Sequence, residues 1–467
     1  MKIKFCGAAQ EVTGSAHHLL INDSFSVLLD CGLFQGIDES EVLNRKWGFE
    51  PKDLDCLILS HAHIDHCGRI PKLVKEGFRG KIYCTPATRS LATILLLDSA
   101  KIQENDAEYE NKKLAKKKHG QFEKVQPLYT IKDVLSCLDL FITISYEFVY
   151  KVNKYLSLKF RDAGHILGSA SVFLNIHEND KNFSLVFSGD LGRPNRPILR
   201  DPIPLDPADY VICESTYGDK IHQSAPNELE KFLHIVNETC IQNHGKLIIP
   251  AFSVGRTQEI VYMLNQLSNK GLLPNIPVYV DSPLAIDATQ IFTEHPECYD
   301  EEILEYLISD PNPFGFKNLH LIKDVEGSKR LNTDKNPCII ISASGMGNAG
   351  RVKHHLYNSL SNPKNTVLIV GYCSPNTPGG QLRAGVSSIF LFGDEIPVRA
   401  KIDTMDSFSA HGDQKEMLGA LKSNLSSHKK MFLVHGELDT QKAYKIFLQE
   451  NGFHDIEIPH LYQSFVI

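Results

Sequence analysis

The chain has 467 residues, of which 42% are hydrophobic and 22% charged, with a net charge of −7 at pH 7. This composition indicates a globular protein, and the length exceeds one ordinary core, so we expect two or three domains. The acidic balance excludes a generally basic protein that coats nucleic acid. No apolar run approaches the roughly 18 residues that span a bilayer, and residues 1–7 lack the apolar core of a signal peptide. Eleven cysteines without any C-x-x-C pair are typical of reduced thiols, so we expect a cytoplasmic protein without membrane association.

The first part of the chain, 1–208, alternates short strands with turns. Strands are predicted at 17–21, 26–30, 82–84 and 156–160, and the apolar pattern becomes helical at 71–77 and 88–110. This mixture predicts two sheets flanked by helices.

The segment 60–66, S-H-A-H-I-D-H, carries four side chains that can bind a metal. It follows the apolar run 56–59, so a strand delivers it into a loop, and alternation along that segment predicts His61 and His63 on one side. A tight bend then turns Asp65 and His66 toward a neighbouring position. The spacing differs from the helical H-E-x-x-H pattern and favours a two-metal site, in which the ions lie roughly 3.5–4 Å apart.

Further metal-capable side chains follow later strands of the same predicted domain. His165 comes after the strand at 156–160, Asp190 after the run L-V-F-S-G, and His435 after the strand at 431–434. A single histidine at a strand end is most often a hydrogen-bonded structural residue. The set is informative only as a whole, and Asp190 is well suited to bridge two ions.

From about residue 210 the pattern changes to apolar strands that alternate with helices. Strands are predicted at 210–213, 246–249, 278–280, 338–341 and 366–370, and helices at 227–243 and 257–270. This order predicts a second, doubly wound domain with a parallel sheet. After about 397 the first style returns, with a strand at 431–434 and a helix at 440–451.

These motifs together resemble a known family. H-A-H-I-D-H, followed by His165, Asp190 and His435, resembles the metallo-β-lactamase fold. Glu214 in C-E-S-T-Y-G-D, His411 in S-F-S-A-H-G-D, and His435 in V-H-G-E narrow the resemblance to the β-CASP nucleases. The similarity runs through essentially the whole chain and is greatest to the compact bacterial RNA metallo-hydrolases.

The resemblance implies an α/β protein, an αββα metallo-β-lactamase fold with an inserted doubly wound parallel-sheet β-CASP domain. The lactamase domain then comprises 1–208 and 397–467, and the β-CASP domain 209–396. The resemblance also implies that seven side chains hold two zinc ions. They are His61, His63 and His165 at one ion, Asp65, His66 and His435 at the other, and Asp190 between the two.

The implied reaction is hydrolysis of an RNA phosphodiester bond to 5′-phosphate and 3′-hydroxyl ends. A hydroxide between two zinc ions is the expected nucleophile, because zinc lowers the pKa of bound water to about 7. His411 is the candidate general acid for the leaving oxygen, and Glu214 is expected to keep it protonated. With Asp65, these residues form the predicted catalytic set.

Two turns of the predicted second domain are candidates for substrate binding. Ser253 and Arg256 lie between a strand and a helix, where backbone N–H groups and the helix dipole favour phosphate, and Ser344 lies in a similar turn. Arg256 could bind a phosphate with two hydrogen bonds. Gly380 stands where many relatives have arginine, which puts RNA contact at that position in doubt.

Two other functions remain open from the sequence. One is a two-zinc hydrolase of a small ester or thioester, which would not require Glu214, His411 or a large second domain. The other is a non-catalytic RNA-processing subunit, although such relatives typically lose ligands and every ligand position is filled here. Single-stranded RNA is the expected partner, with DNA as the alternative. The mode of cleavage (endonuclease or 5′-exonuclease), the physiological target and a homodimer are left open.

Overall fold

A computed structural model describes residues 1–36, 39–117, 122–222, 227–371, 373–405 and 409–467. The chain forms two compact units, Met1–Ile221 with His411–Ile467, and His222–Ala410, so the second interrupts the first in sequence. The sequence led us to expect domain boundaries at 208/209 and 396/397. The two units instead meet at 221/222 and at 410/411, so both expected boundaries lie too early in the chain. The pairing of two strands, β11 (Tyr210–Glu214) and β19 (Lys401–Met405), explains this difference.

The first unit contains two seven-stranded sheets. The first sheet, in spatial order, consists of β22 (Ser464–Val466), β1 (Lys2–Gly7), β2 (Ala16–Ile21), β3 (Phe25–Leu29), β4 (Cys56–Ile58), β5 (Lys81–Cys84) and β6 (Phe141–Thr143). The second consists of β21 (Ile456–Glu457), β20 (Lys430–Val434), β11 (Tyr210–Glu214), β10 (Lys181–Phe187), β9 (Ala170–Glu178), β8 (Leu156–Asp162) and β7 (Tyr150–Lys151).

Strand β11 corrects one expectation from the sequence. We predicted it as the first strand of the second domain, but it lies between β10 and β20 and is parallel to both. Strand β19 (Lys401–Met405) is the opposite case. The expected boundary at 396/397 placed it in the lactamase domain, but it pairs with a strand of the second unit. A strand with parallel neighbours on both sides has the same continuous apolar pattern in either domain, so its sequence does not reveal its sheet.

The core of the first unit lies between its two sheets. Phe5 of β1 packs against Phe432 of β20, with ring centroids 5.0 Å apart, and Phe160 and Phe187 are buried in the same cluster. Each such ring contributes roughly 1.5–3 kcal/mol by leaving water. Along β8, buried and partly buried residues alternate, as expected for a strand with one face in this core.

Helices accompany the two sheets and confirm the αββα arrangement. A cluster with Met417, Leu421, Tyr444 and Leu448 packs on the second sheet. The helices of the first unit are α1 (Ser40–Arg45), α2 (Ile64–Cys67), α3 (Ile70–Lys75), α4 (Pro86–Lys117), α5 (Ile131–Cys137), α13 (Gln414–Leu421) and α14 (Leu438–Glu450).

The second unit is built on a six-stranded sheet in which every pair is parallel. In spatial order it consists of β14 (Leu319–Leu321), β13 (Val278–Val280), β15 (Cys338–Ser342), β12 (Lys246–Pro250), β16 (Thr366–Val370) and β19. A separate hairpin joins β17 (Ser388–Leu391) and β18 (Asp394–Pro397). The helices of the second unit are α6 (Glu228–Val236), α7 (Arg256–Asn269), α8 (Pro283–Glu294), α9 (Glu301–Ser309), α10 (Val325–Thr333), α11 (Val352–Ser359) and α12 (Pro378–Arg383). The doubly wound parallel pattern is therefore confirmed.

Among the helices of the described residues, none combines the length and the apolar character needed to cross a membrane. All eleven cysteines are buried and none forms a disulfide.

Candidate metal centre

Strand β4 delivers the first cluster of donor side chains. His61 and His63 follow it in extended backbone, and the ring atoms His61 Nε2 and His63 Nδ1 lie 3.2 Å apart, on one side as the alternation predicts. The predicted bend is the single helical turn α2, which begins directly after His63 and carries Asp65 and His66. The motif is thus an extended segment followed by one turn of helix.

Strands of the second sheet bring the remaining donors to the same place. Strands β10, β11 and β20 run in parallel, so the residues that follow their carboxyl ends share one edge of the sheet. Asp190 follows β10 and His435 follows β20, and His66 Nε2 lies 3.0 Å from His435 Nε2. His165 comes after β8, with its Nε2 3.2 Å from His63 Nδ1. Residues separated by up to 374 positions in sequence meet because their strands end at one edge.

The donors form two groups that Asp190 connects. His61, His63, His165 and Asp190 offer one atom each within 4.8 Å of one another, and Asp65, His66 and His435 form a second such group. Asp190 Oδ2 lies 3.5 Å from both His61 Nε2 and His165 Nε2. Its Oδ1 lies 3.3 Å from His66 Nε2 and 3.6 Å from His435 Nε2. One carboxylate oxygen therefore faces each group.

The chemistry of the donors fits a metal. Within the described residues, Asp190 Oδ1 is buried and has no hydrogen-bond partner, which is costly unless a cation is bound. Burial, with the neighbouring His66, lowers the pKa of His61 well below its usual value, and burial lowers that of His63 to about 4. Both imidazoles are therefore neutral at pH 7 and can donate a lone pair.

Three polar residues that were not predicted from the sequence orient imidazoles of the two donor groups. Asp30 Oδ2 lies 2.7 Å from His66 Nδ1, Ser60 Oγ lies 3.0 Å from His61 Nδ1, and Thr216 Oγ1 lies 3.0 Å from His435 Nδ1. With Nδ1 so engaged, Nε2 of each ring faces the centre. Asp30 had a signal in the sequence, since it follows strand β3 as Asp190 follows β10.

Glu214 and His411 lie at the edge of this centre. His411 Nδ1 lies 3.1 Å from Glu214 Oε2 and 3.9 Å from Asp190 Oδ2. Glu214 is fully buried at the end of β11, and its Oε1 accepts a hydrogen bond from the backbone N–H of Leu191. It is therefore neither a helix cap nor a surface acid. Residues 407 and 408 of the His411 motif lie outside the described residues.

The three substrate-binding candidates belong to the second unit. Ser253 Oγ lies 3.4 Å from Ser282 Oγ, and Ser344 Oγ donates a 2.8 Å hydrogen bond to Asn348 Oδ1. Arg256 begins helix α7, but its side chain is only 8% exposed and is paired with Glu259. Its charge is therefore compensated within the helix, which argues against the direct phosphate contact expected from the sequence.

Gly380 is packed too closely to accept a side chain. A Cβ atom there would lie 2.1 Å from the carbonyl oxygen of Ser374. An arginine at this position would require the turn at 374–375 to move.

Comparison with known proteins identifies the family. The metallo-beta-lactamase superfamily model matches residues 14–130, and the Beta-Casp domain model matches residues 257–382. The model of the Zn-dependent metallo-hydrolase RNA specificity domain matches residues 395–459.

Individual relatives match over most of the chain. Ribonuclease TTHA0252 of Thermus thermophilus is 37% identical over 437 residues, which cover 94% of this chain and 93% of the relative. Transcription termination factor FttA of Methanosarcina mazei is 31% identical, over 94% of this chain and 67% of the relative. A crystal structure of a protein of unknown function from Enterococcus faecalis matches with a TM-score of 0.53 at 12% identity, over 100% of this chain and 99% of that one. That structural match concerns the fold alone. With its donor cluster and its three family matches, the chain belongs to the β-CASP metal-dependent hydrolases of the metallo-β-lactamase superfamily.

Proposed function

We propose that the protein is a two-zinc ribonuclease that hydrolyses RNA phosphodiester bonds to 5′-phosphate and 3′-hydroxyl ends. The observation that carries the proposal is the position of Asp190, whose two oxygens each face a different group of imidazoles at 3.3–3.6 Å. A carboxylate in that position suits a bridge between two cations. A single tetrahedral ion would leave one of the groups unused.

Zinc is the cation that the donor set favours. Five imidazole nitrogens and two carboxylates are borderline ligands, as zinc prefers, whereas magnesium and calcium prefer oxygen alone. In the proposal His61, His63 and His165 hold one ion, Asp65, His66 and His435 hold the other, and Asp190 is shared. Two zinc ions held there would activate a water molecule for attack and would neutralise charge on the phosphoryl oxygens.

The protein's own residues complete the reaction on the leaving side. As water attacks phosphorus and the P–O3′ bond breaks, the departing 3′-oxygen must gain a proton. His411 is placed to supply it, since Glu214 holds its Nδ1 and the ring lies beside Asp190 of the donor groups. Glu214 stabilises the imidazolium that gives up this proton, and its bond from the Leu191 N–H fixes its position.

RNA is supported as the substrate by two findings. One family match describes an RNA specificity domain, and the relative with 37% identity is named a ribonuclease. Ser253 and Ser344 remain candidates for contact with the RNA backbone. Arg256 is the weakest of the three predicted candidates, because its charge is paired with Glu259. Eleven buried thiols without disulfides agree with a cytoplasmic location.

One experiment tests the function. Single-stranded RNA, labelled either internally or at its 5′ end, and DNA of the same sequence are incubated with the protein, with chelator and then with zinc added back. We expect RNA cleavage that stops with chelator and returns with zinc, and end-group analysis should find 5′-phosphate and 3′-hydroxyl ends. A 5′-exonuclease should release the 5′ label in mononucleotides, whereas an endonuclease should leave it in longer fragments.

Three outcomes would redirect the proposal. Cleavage of the DNA alone would change the substrate, and turnover of small esters or thioesters without nucleic acid would favour the small-ester hydrolase. RNA binding without cleavage, in protein that carries its zinc, would favour the non-catalytic subunit. Light scattering of the same protein tests whether it forms a homodimer.

A further inference from the structure

A tyrosine lies beside the proposed general acid, and the reaction described above gives it no task. Residues 215–220 follow β11, and the ring centroid of Tyr217 lies 6.1 Å from that of His411, with an interplanar angle of 54°. Tyr217 is partly exposed, and Lys220 Nζ lies 5.7 Å from the centroid of its ring. An aromatic ring with a cation beside it is a typical platform for a nucleobase and its phosphate.

The turn at 215–220 is held rigidly to the segment that carries His411. Gln414 donates hydrogen bonds from its backbone N to Lys220 O, at 3.0 Å, and from Nε2 to Gly218 O, at 2.7 Å. Gly218 packs on Tyr444 so closely that a Cβ atom would lie 2.4 Å from the Tyr444 Cβ. The backbone that carries Tyr217 is therefore held at a fixed place relative to the general acid, which reduces the entropy lost when a base binds there.

The position of the ring next to His411 indicates which nucleotide it would meet. His411 protonates the 3′-oxygen, which belongs to the nucleotide on the 5′ side of the broken bond. The ribose of that nucleotide must therefore lie at His411, and its base lies within one nucleotide's reach of the ribose. We propose that Tyr217 stacks on the base of this upstream nucleotide, and that Lys220 pairs with the phosphate on its 5′ side.

This inference rests on the proposed ribonuclease activity and assigns Tyr217 as a positioning residue. Every base has a π-face, so the contact favours RNA generally without selecting a sequence. It also separates RNA from small esters, which have no base at this place. Loss of one stacked base typically costs about 5–100-fold in affinity.

The test uses a short RNA whose cleavage position has first been mapped with the zinc-loaded wild-type protein. Two further RNAs lack a single base, one directly upstream and one directly downstream of that bond. The proteins compared are wild type, Tyr217→Leu, Tyr217→Phe, and Tyr109→Leu as a control, since Tyr109 is 68% exposed on helix α4. A fourth RNA carries 2-aminopurine at the upstream position, and its fluorescence is followed by stopped flow before cleavage.

We expect Tyr217→Leu to lose about 10-fold in kcat/KM on intact RNA and on the RNA that lacks the downstream base. On the RNA that lacks the upstream base, wild type should be as slow as Tyr217→Leu is on intact RNA. Tyr217→Leu should lose no further kcat/KM on that RNA. Tyr217→Phe should stay within about threefold of wild type. The 2-aminopurine fluorescence should be quenched on binding by wild type and Tyr217→Phe, and not by Tyr217→Leu.

Several results would overturn the inference. Equal losses of Tyr217→Leu on all three RNAs would mean that the tyrosine only supports the fold around His411. No loss on any RNA, or loss that depends on the downstream base, would remove Tyr217 from the upstream position. If wild type cleaves none of the RNAs with zinc bound, it is the ribonuclease proposal that fails, and quenching of 2-aminopurine then still reports whether Tyr217 stacks on a base.

Discussion

His411 Nδ1 lies 3.1 Å from Oε2 of Glu214, a carboxylate with no exposed surface. Burial alone would lower the pKa of His411, but the charge and hydrogen bond of Glu214, together with Asp190 and Asp65, raise it to about 9. Bound dications would repel the proton and lower this pKa. A histidine poised between these influences can hold a proton at pH 7 and still release it to an alkoxide.

Replacement of His411 should separate acid catalysis from metal binding. We expect His411→Ala to keep both zinc ions but to lose roughly 10²–10⁴-fold in RNA cleavage, the usual range for a general acid. Hydrolysis of bis-p-nitrophenyl phosphate should be much less impaired, because nitrophenolate leaves without a proton. Glu214→Gln should show the same pattern more mildly.

The matched control for this prediction is His177→Ala, since His177 lies on β9 outside the donor groups. His435→Ala should lose zinc and should not be rescued by the activated substrate. If His411→Ala loses zinc, or is equally impaired on both substrates, His411 is a ligand or a substrate-positioning residue.

Asp190 should be required for the binding of both metal ions. Asp190→Ala removes the oxygens that face both groups, so we expect wild type to carry close to two zinc ions per chain and the variant to lose zinc from both positions together with activity. Elemental analysis measures the zinc content. The control is Asp180→Ala, in the turn between β9 and β10, which should keep both ions. One ion in wild type, or two in Asp190→Ala, would contradict the bridging assignment.

Asp30 should act mainly on the ion held by His66, because it reaches the other group only through Ser60, whose Oγ donates to Asp30 Oδ2 at 2.9 Å and lies 3.0 Å from His61 Nδ1. Its Oδ2 lies 2.7 Å from His66 Nδ1, and it also accepts hydrogen bonds from Ser60 N at 2.8 Å and Ser15 Oγ at 3.1 Å. Asp30→Asn keeps the size but weakens the support of His66, and such support is typically worth about 10–100-fold in metal affinity. Titration with a chelator should therefore show one weakened ion and one of nearly normal affinity. Equal weakening of both would mean that Asp30 maintains the whole centre.

His17 should make the fold sensitive to acid. It is fully buried beside Phe5 and Phe187, and among the described residues neither ring nitrogen has a hydrogen-bond partner. Burial lowers its pKa to about 3. The unfolded chain therefore binds the proton first, so the free energy of unfolding falls as the pH drops from about 6.5 toward 3, by at most about 1.4 kcal/mol per pH unit.

His17→Leu removes this proton-binding group. Urea unfolding of both proteins at pH 7.5 and pH 5.0 should show that wild type loses about 2 kcal/mol more than the variant between the two conditions. The comparison of the two proteins cancels the titration of the other histidines. Identical pH dependence would mean that His17 is protonated as easily in the folded state as in the unfolded one.

The sequence by itself determined those features of this protein that depend on short, continuous motifs. Residues 60–66 place four donors within seven positions, so their clustering does not depend on the rest of the fold. The apolar patterns predicted most strands, and the alternation of strands and helices from about residue 210 predicted a parallel sheet, although the first of those strands proved to belong to the other unit. The motifs together were specific enough to name the family.

Only the tertiary structure decided which distant residues work together. Strand β11 has the same apolar pattern wherever its neighbours come from, and its pairing with β10 and β20 is what brings Glu214 beside Asp190 and His411. Thr216 and Tyr217 carry no local mark of the roles proposed for them, because each would act with a partner far away in the sequence, and Asp30 is marked only by its place directly after strand β3. Arg256 shows the opposite case, a residue in a promising motif whose charge is already paired with Glu259. Donor identity is a property of the residue, whereas its partners are set by strand pairing, which a local pattern cannot specify.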